Sequence, residues 1–208
     1  MKIITVSRQF SSGGRELAKR LADALGFDYY DKEIISEIAK SKGLDENYVE
    51  SSLSLGSIRA IPLHFAKSFS FTFSNTGMSE LMAEEKKVIG ELVSKGRDFV
   101  IVGRNSDILL KDYKPLNIFV CADSEYKVQR CIEKSKDAAP PSRREILRHL
   151  KQIDKARASS RSLLSDKPWG ACTNYHLTIN TTGWQIKDLV PIATEFANLY
   201  FGNEDTVK

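Results

Sequence analysis

Five short runs of β-branched and aromatic residues punctuate the chain, Ile3–Val6, Phe27–Tyr30, Phe99–Val102, Asn117–Cys121 and Tyr175–Asn180, and stretches of helical periodicity separate them. Strand-length runs alternating with helices restrict the fold to βαβ units, whose strands lie parallel. Phe99-Val-Ile-Val102 is apolar on both faces, as a strand must be when helices cover it from either side. The expectation is an α/β domain with a doubly wound, five-stranded parallel sheet. The spacing predicts helices over Arg15–Leu25, with Leu17, Leu21, Ala24 and Leu25 on one face and Gly26 as the stop, and over Asp31–Ser41, with Ile34, Ile35 and Ile38 inward. Further helices are expected from Asp45 to Leu53, and over Met78–Lys95, Asp123–Lys134, Arg143–Leu163 and Trp184–Phe201.

At 208 residues one compact domain is favoured, 1–208, with a helical insert at about 45–95 and a lid at about 135–162. The insert carries Phe65, Phe69, Phe71 and Phe73, more aromatic surface than a free loop exposes, so it is expected in the core or against a second copy, a possible homodimer. No apolar run approaches the ~18–20 residues of a bilayer span, and Met1–Val6 reads as a strand rather than a secretory leader, so a cytoplasmic location is expected and no membrane partner. Lys and Arg number 31 against 27 Asp and Glu, a net charge of +4, too small to announce nucleic acid but suited to small anions. Cys121, Cys131 and Cys172 lack the spacing of a disulfide framework or zinc site. His64, His149 and His176 are scattered and receive no metal or acid–base role, and Trp169 and Tyr175 read as packing aromatics.

The first strand leads straight into Ser7-Arg-Gln-Phe-Ser-Ser-Gly-Gly-Arg-Glu16 and then a helix. Unsatisfied N–H groups and the helix dipole make such a terminus a site for anions. Ser11, Ser12, Gly13, Gly14, Arg15 and Glu16 are therefore the candidate phosphate-binding residues. The competing reading is a plain turn with Gly13 as the cap and Glu16 closing a capping box.

Ile4–Leu25, followed by Tyr29-Tyr-Asp-Lys-Glu-Ile-Ile35, resembles the start of the cytidylate kinase-like family of P-loop proteins. Val100-Ile-Val-Gly-Arg104, Asn117-Ile-Phe-Val120, Ile153-Asp-Lys-Ala-Arg157, Trp169-Gly and Asn174–Asn180 continue the resemblance in order. It implies an adenylate-kinase-like P-loop NTPase fold with an acceptor region and a helical lid, ATP and Mg²⁺ as cofactors, and a small-molecule nucleotide as partner. The metal ligands are unassigned. Against the P-loop pattern G-x-x-x-x-G-K-[ST], the chain keeps Gly13 but has Gly14 in place of the lysine, Glu16 in place of the hydroxyl residue and Arg8 in place of the opening glycine. Arg15 and Arg8 are the guanidiniums at hand to supply the missing charge, and Arg15 and Arg157 are the candidate catalytic residues.

Asp154 and Arg157 share a helix face, and the resemblance places an Asp-x-x-Arg at the acceptor; a solvated surface pair is the alternative. Arg104 and Asp31, each at the end of a strand, complete the candidate substrate-binding set, although Asn105 stands where the family has Asp and Lys32-Glu33 where it has Ser-Gly. Arg143, Arg144, Arg148 and Arg161 form a basic stripe; a solvated helix face is the plain reading, and the resemblance assigns Arg143, Arg144 and Arg161 to the lid, where such charges neutralise the transferring phosphoryl group. The interleaved Glu145 and Asp154 count against nucleic acid as the partner of that helix. The expected function is phosphotransfer from ATP to CMP or a similar small acceptor; a catalytically impaired nucleotide-binding or regulatory protein of the same fold is the alternative.

Overall fold

A computed structural model describes residues 1–46, 48–49, 53, 75–135 and 141–204. In chain order the elements are β1 (Ile3–Arg8), α1 (Gly14–Leu25), β2 (Asp28–Tyr30), α2 (Glu33–Lys42), α3 (Asn75–Ser94), β3 (Phe99–Val102), the short α4 (Ser106–Leu109), β4 (Leu116–Cys121), α5 (Ser124–Lys134), α6 (Arg143–Ser162), β5 (Leu177–Asn180) and α7 (Ile186–Glu204). The five strands form one sheet in the order β2-β3-β1-β4-β5, and every pair is parallel. All five expected strands are present. The first runs two residues further than its apolar pattern, because the ladder with β4 continues through Ser7 opposite Phe119 and Arg8 opposite Val120. That extension carries Arg8 to the sheet's carboxyl edge.

Alternation along the strands feeds two cores. Ile4, Val6, Val100 and Val102 face one side, where Leu17 and Leu21 of α1 and Ile186, Leu189 and Ala193 of α7 cover them. Ile3, Phe99 and Ile101 face the other, against Ile34, Ile35 and Ile38 of α2 and Leu81, Ile89 and Leu92 of α3. Both faces are dry, which accounts for the unbroken apolar run of β3. Each fully buried Leu or Ile contributes about 1.5–3 kcal/mol, so these stripes, not helix propensity, fix α1 and α2 on the sheet. A third, small cluster of Val128, Ile146 and Leu150, with Phe10 packed against it, joins α5 to α6 beside the first loop.

The helix expected at 45–53 is represented by Glu46, Tyr48, Val49 and Leu53, of which Val49 and Leu53 are buried in the second core. The aromatic stretch Phe65–Phe73, and with it the expected burial or subunit contact, lies outside the described residues, as do positions 136–140 of the region expected as a lid. A capping box does form, but at α6, where Ser142 and Glu145 bond reciprocally. The box considered for Gly13 and Glu16 does not exist: Gly13 has no side chain to accept the Glu16 N–H, and the Glu16 carboxylate is taken by Arg130 and Arg20. The outgoing connections of β1 and β4 lead to opposite edges of the sheet, so the crevice for a ligand opens at their carboxyl ends.

Candidate active site

The loop between β1 and α1 is held open by backbone conformation. Ser11 has φ 59° and Gly13 φ 83°, and the helix begins at Gly14 with free N–H groups facing the sheet edge. Ser12 is fully buried; its Oγ lies 2.9 Å from the Gln9 carbonyl and 3.1 Å from that of Val120, while Thr181 Oγ1 donates to the Ser12 carbonyl at 2.7 Å. This hydroxyl therefore shapes the loop. A Cβ on Gly13 would strike the Ile186 side chain. At Gly14 it would lie 2.5 Å from Arg8 Cβ and 3.0 Å from Val120 Cβ, so the position of the usual lysine has no room for any side chain. Space, not a positive φ, makes Gly14 a glycine.

Arg8 fills the volume thus vacated and crosses to the end of β3. A Cβ on Gly103 would collide with the Arg8 guanidinium, so this glycine is needed for close approach as well as for its φ of 72°. Arg104 and Asn105 follow with φ 60° and 48°, three successive left-handed residues at the sheet's carboxyl edge. Asn tolerates this region better than most residues, and its Nδ2 donates to Ser160 Oγ at 3.0 Å, which accounts for Asn105.

Four guanidiniums converge here. Arg15 chelates Asp31 through Nε and, at 3.4 Å, through Nη2, and Arg8 Nη2 lies 3.9 Å from the same carboxylate. Arg104 Nε is 3.8 Å from Glu85 Oε1 of α3. Arg157 Nη1 donates to the Arg8 carbonyl at 2.8 Å and to Asp154 Oδ1 at 3.3 Å, and Asp154 Oδ1 accepts the Phe10 N–H at 2.7 Å. Burial, then the charges of Arg157, Arg15 and Arg104, lower the Arg8 pKa against the pull of Asp31. Burial likewise lowers Arg157, with Asp154 opposing. Both remain cations at neutral pH, since arginine does not lose its proton in proteins. Glu85 compensates only in part: burial raises its pKa to about 7 against the influence of Arg104, and Oε1 has no hydrogen-bond partner. Burial also raises Asp154, against its hydrogen bond from Phe10 and the charges of Arg157 and Lys127. The cluster is short of negative charge, and an anion entering it would meet preorganised donors.

The structure thus gathers Arg15, Asp31, Arg104, Asp154 and Arg157 at one edge with the 11–16 loop. Asp154 and Arg157 are not a solvated surface pair: both grip the backbone of the loop. Arg143, Arg144 and Arg148 stay exposed, Arg143 pairing with Glu125 on α5. Arg161 departs from the basic stripe. It is 3% exposed, its Nη1 bonds Asp107 Oδ2 at 2.6 Å, and its Nε bonds the Lys167 carbonyl at 2.9 Å, so its charge is consumed in joining α6 to α4. Trp169 and Tyr175 pack on Phe119 at ring distances of 5.3 and 4.9 Å. Glu16 is held by Arg130 at 3.1 Å, Arg20 at 3.2 Å and Lys134 at 3.7 Å, and its pKa is lowered. No three metal-ligating side chains cluster among the described residues, and the Ser12 hydroxyl is taken up by the Gln9 and Val120 carbonyls.

Sequence reasoning missed Glu85, Lys127 and Arg130. Glu85 sits in Ala83-Glu-Glu-Lys-Lys87, where nothing separates it from Glu84, which is also buried but pairs with Lys42 and Lys87. Lys127 and Arg130 are three apart on α5, a spacing that places them on one face, but only the packing shows that this face meets the loop.

The model of the cytidylate kinase-like family matches residues 3–183. No curated protein matches the chain. Among solved structures, an uncharacterised protein from Eubacterium ventriosum aligns with TM-score 0.70 at 20% identity, covering 95% of this chain and 99% of its own. A shikimate kinase from Bacteroides thetaiotaomicron aligns with TM-score 0.55 at 15% identity, covering 94% and 97%. A shikimate kinase from Acinetobacter baumannii, in complex with shikimate, aligns with TM-score 0.52 at 17% identity, covering 100% and 96%. The fold is that of the P-loop kinases.

Proposed function

The chain belongs to the cytidylate kinase-like family, and from that premise we propose that it transfers the γ-phosphate of ATP to CMP or a similar small anionic acceptor. The observation that carries the reading is the convergence of Arg8, Arg15, Arg104 and Arg157 on the mouth of a loop whose helix opens with free N–H groups. The loop N–H groups hold the donor's phosphates. Arg104, with Asp31 and Asp154 as acceptors for hydroxyl or amino groups, orients the second substrate. Arg15 and Arg157 neutralise charge on the phosphoryl group in flight, Arg143 and Arg144 approaching as the lid helix closes. Mg²⁺ bound with the nucleotide supplies further charge neutralisation. Phosphoryl transfer of this kind works by positioning and electrostatics and asks no covalent chemistry of the protein. No described helix is long and apolar enough to cross a membrane.

A second reading has its own support. Because a side chain at Gly14 meets Arg8 and Val120, the loop cannot carry its usual lysine, and a nucleotide-binding or regulatory protein without transfer chemistry fits that fact. One assay separates the two: ADP release with Mg²⁺-ATP against a panel of nucleoside monophosphates and hydroxylated carboxylates, shikimate among them. Transfer to one acceptor, falling at least about a hundredfold in Arg157→Ala, about 2.7 kcal/mol of transition-state stabilisation, is the expected result. ATP binding without transfer to any acceptor would leave the regulatory reading standing alone.

A further inference from the structure

The loop's missing ammonium has a replacement on another element. We propose that Lys127, from the second turn of α5, contacts the nucleotide phosphates in place of a lysine at position 14; the inference rests on the nucleotide-binding reading above. Three observations converge on it. First, the ordinary position is closed, since a Cβ at Gly14 would lie 2.5 Å from Arg8 Cβ. Second, the Lys127 side chain is only 8% exposed, and lysine is seldom buried without purpose. Its Nζ donates to Gln9 Oε1 of the loop at 3.0 Å and lies 3.8 Å from Asp154 Oδ2, an ion pair beyond hydrogen-bond length. An ammonium carries three donors, and among the described residues this one has a single hydrogen bond, so it retains capacity for phosphate oxygens.

Third, Lys127 is part of a face. Arg130, one turn on, lies against Gly13, its Nη2 3.4 Å from the place of a Cβ there. Glu16, standing where the loop's hydroxyl residue would be, anchors Arg130 at 3.1 Å. The helix that follows β4 thus presses two cations on a loop that brings no lysine of its own. The Asp154 carboxylate, bonded to the Phe10 N–H and flanked by Lys127 and Arg157, ties both cations to the same loop. Lysine's flexible four-carbon stem lets Nζ swing from Gln9 to a phosphate without moving the helix.

The test is calorimetric binding of ATP, ADP, inorganic tripolyphosphate and adenosine to the full chain and to Lys127→Met, Lys127→Gln and Lys127→Arg. Lys127→Met and Lys127→Gln should lose at least about tenfold in affinity for ATP and tripolyphosphate with adenosine unchanged, and Lys127→Arg should recover most of it. Adenosine affinity falling by the same factor, all four ligands unchanged, or no recovery in Lys127→Arg would each overturn the proposal. Should the neutral variants fold poorly, wild-type crystals with tripolyphosphate decide: Nζ within hydrogen-bond distance of a phosphate oxygen supports the assignment, and Nζ with no phosphate oxygen in hydrogen-bond reach refutes it. Wild type that binds neither ATP nor tripolyphosphate removes the nucleotide reading itself, a result distinct from normal wild-type binding with indifferent variants.

Discussion

The loop side and the arginine side of the site are built by opposite means. Around Gly13 the architecture is backbone: a left-handed Ser11 and Gly13, a buried Ser12 tied to two carbonyls, and a helix start that needs no side chain at all. Around Arg104 it is side chain: guanidiniums from β1, α1, the end of β3 and α6, facing carboxylates from the end of β2, from α3 and from α6. The first region tolerates almost no change in volume. The second tolerates volume but is sensitive to charge, since four guanidiniums face three carboxylates and burial raises the pKa of one of these, Glu85, to about 7. An anion-binding site can therefore be rigid where it approaches phosphate and adaptable where it selects the acceptor.

The sharpest way to break that contrast is at the base of the arginine side. Arg161→Ala leaves Asp107 buried with no cation, and one of its oxygens already has no hydrogen-bond partner. A loss of about 3–5 kcal/mol in urea unfolding is expected; a loss below about 1 kcal/mol would mean that the pair is not the strut between α6 and α4. On the loop side, Gly14→Lys should cost about 2–3 kcal/mol through overpacking against Arg8 and Val120. It should also abolish ATP binding rather than restore a working loop, and a stable variant with improved ATP affinity would contradict the packing described.

Glu85 sharpens the electrostatic half. Its folded pKa, about 7, lies above the ordinary 4.5, so the folded state holds its proton more tightly. The stabilisation linked to that proton is complete below about 4.5 and is lost as pH rises through about 7. Glu85→Gln should flatten the decline seen between pH 5 and 8 and stabilise the protein at pH 8 by on the order of 2 kcal/mol, less than the full shift because the amide stays buried. An unchanged pH profile would place Glu85 in water. The smallest effect belongs to Arg143→Ala: its partner Glu125 is exposed, so the melting temperature should not move, whereas turnover should fall if the lid closes as proposed.

Much of this was legible in the chain alone. Period-two and period-3.6 patterns determine local structure directly, so the five strands, the helices between them and the loop at Ser11–Glu16 follow from the order of residues. Gly13 and Arg104 stand out because each follows the end of a strand, and Asp154 and Arg157 because they share a helix face and match the Asp-x-x-Arg of the family the chain resembles. What tertiary structure decided is what each charge faces. Nothing local distinguishes Glu85, buried against Arg104, from Glu84, or Arg161, spent on Asp107, from the exposed Arg144. Nor does the sequence around Gly14 announce that Arg8 and Val120 occupy its Cβ space, or that Lys127, 113 positions later, reaches the same loop. Secondary structure answers to neighbours a few residues away, which sequence order supplies. Desolvation and charge pairing answer to neighbours a few ångströms away, and those exist only once the chain has folded.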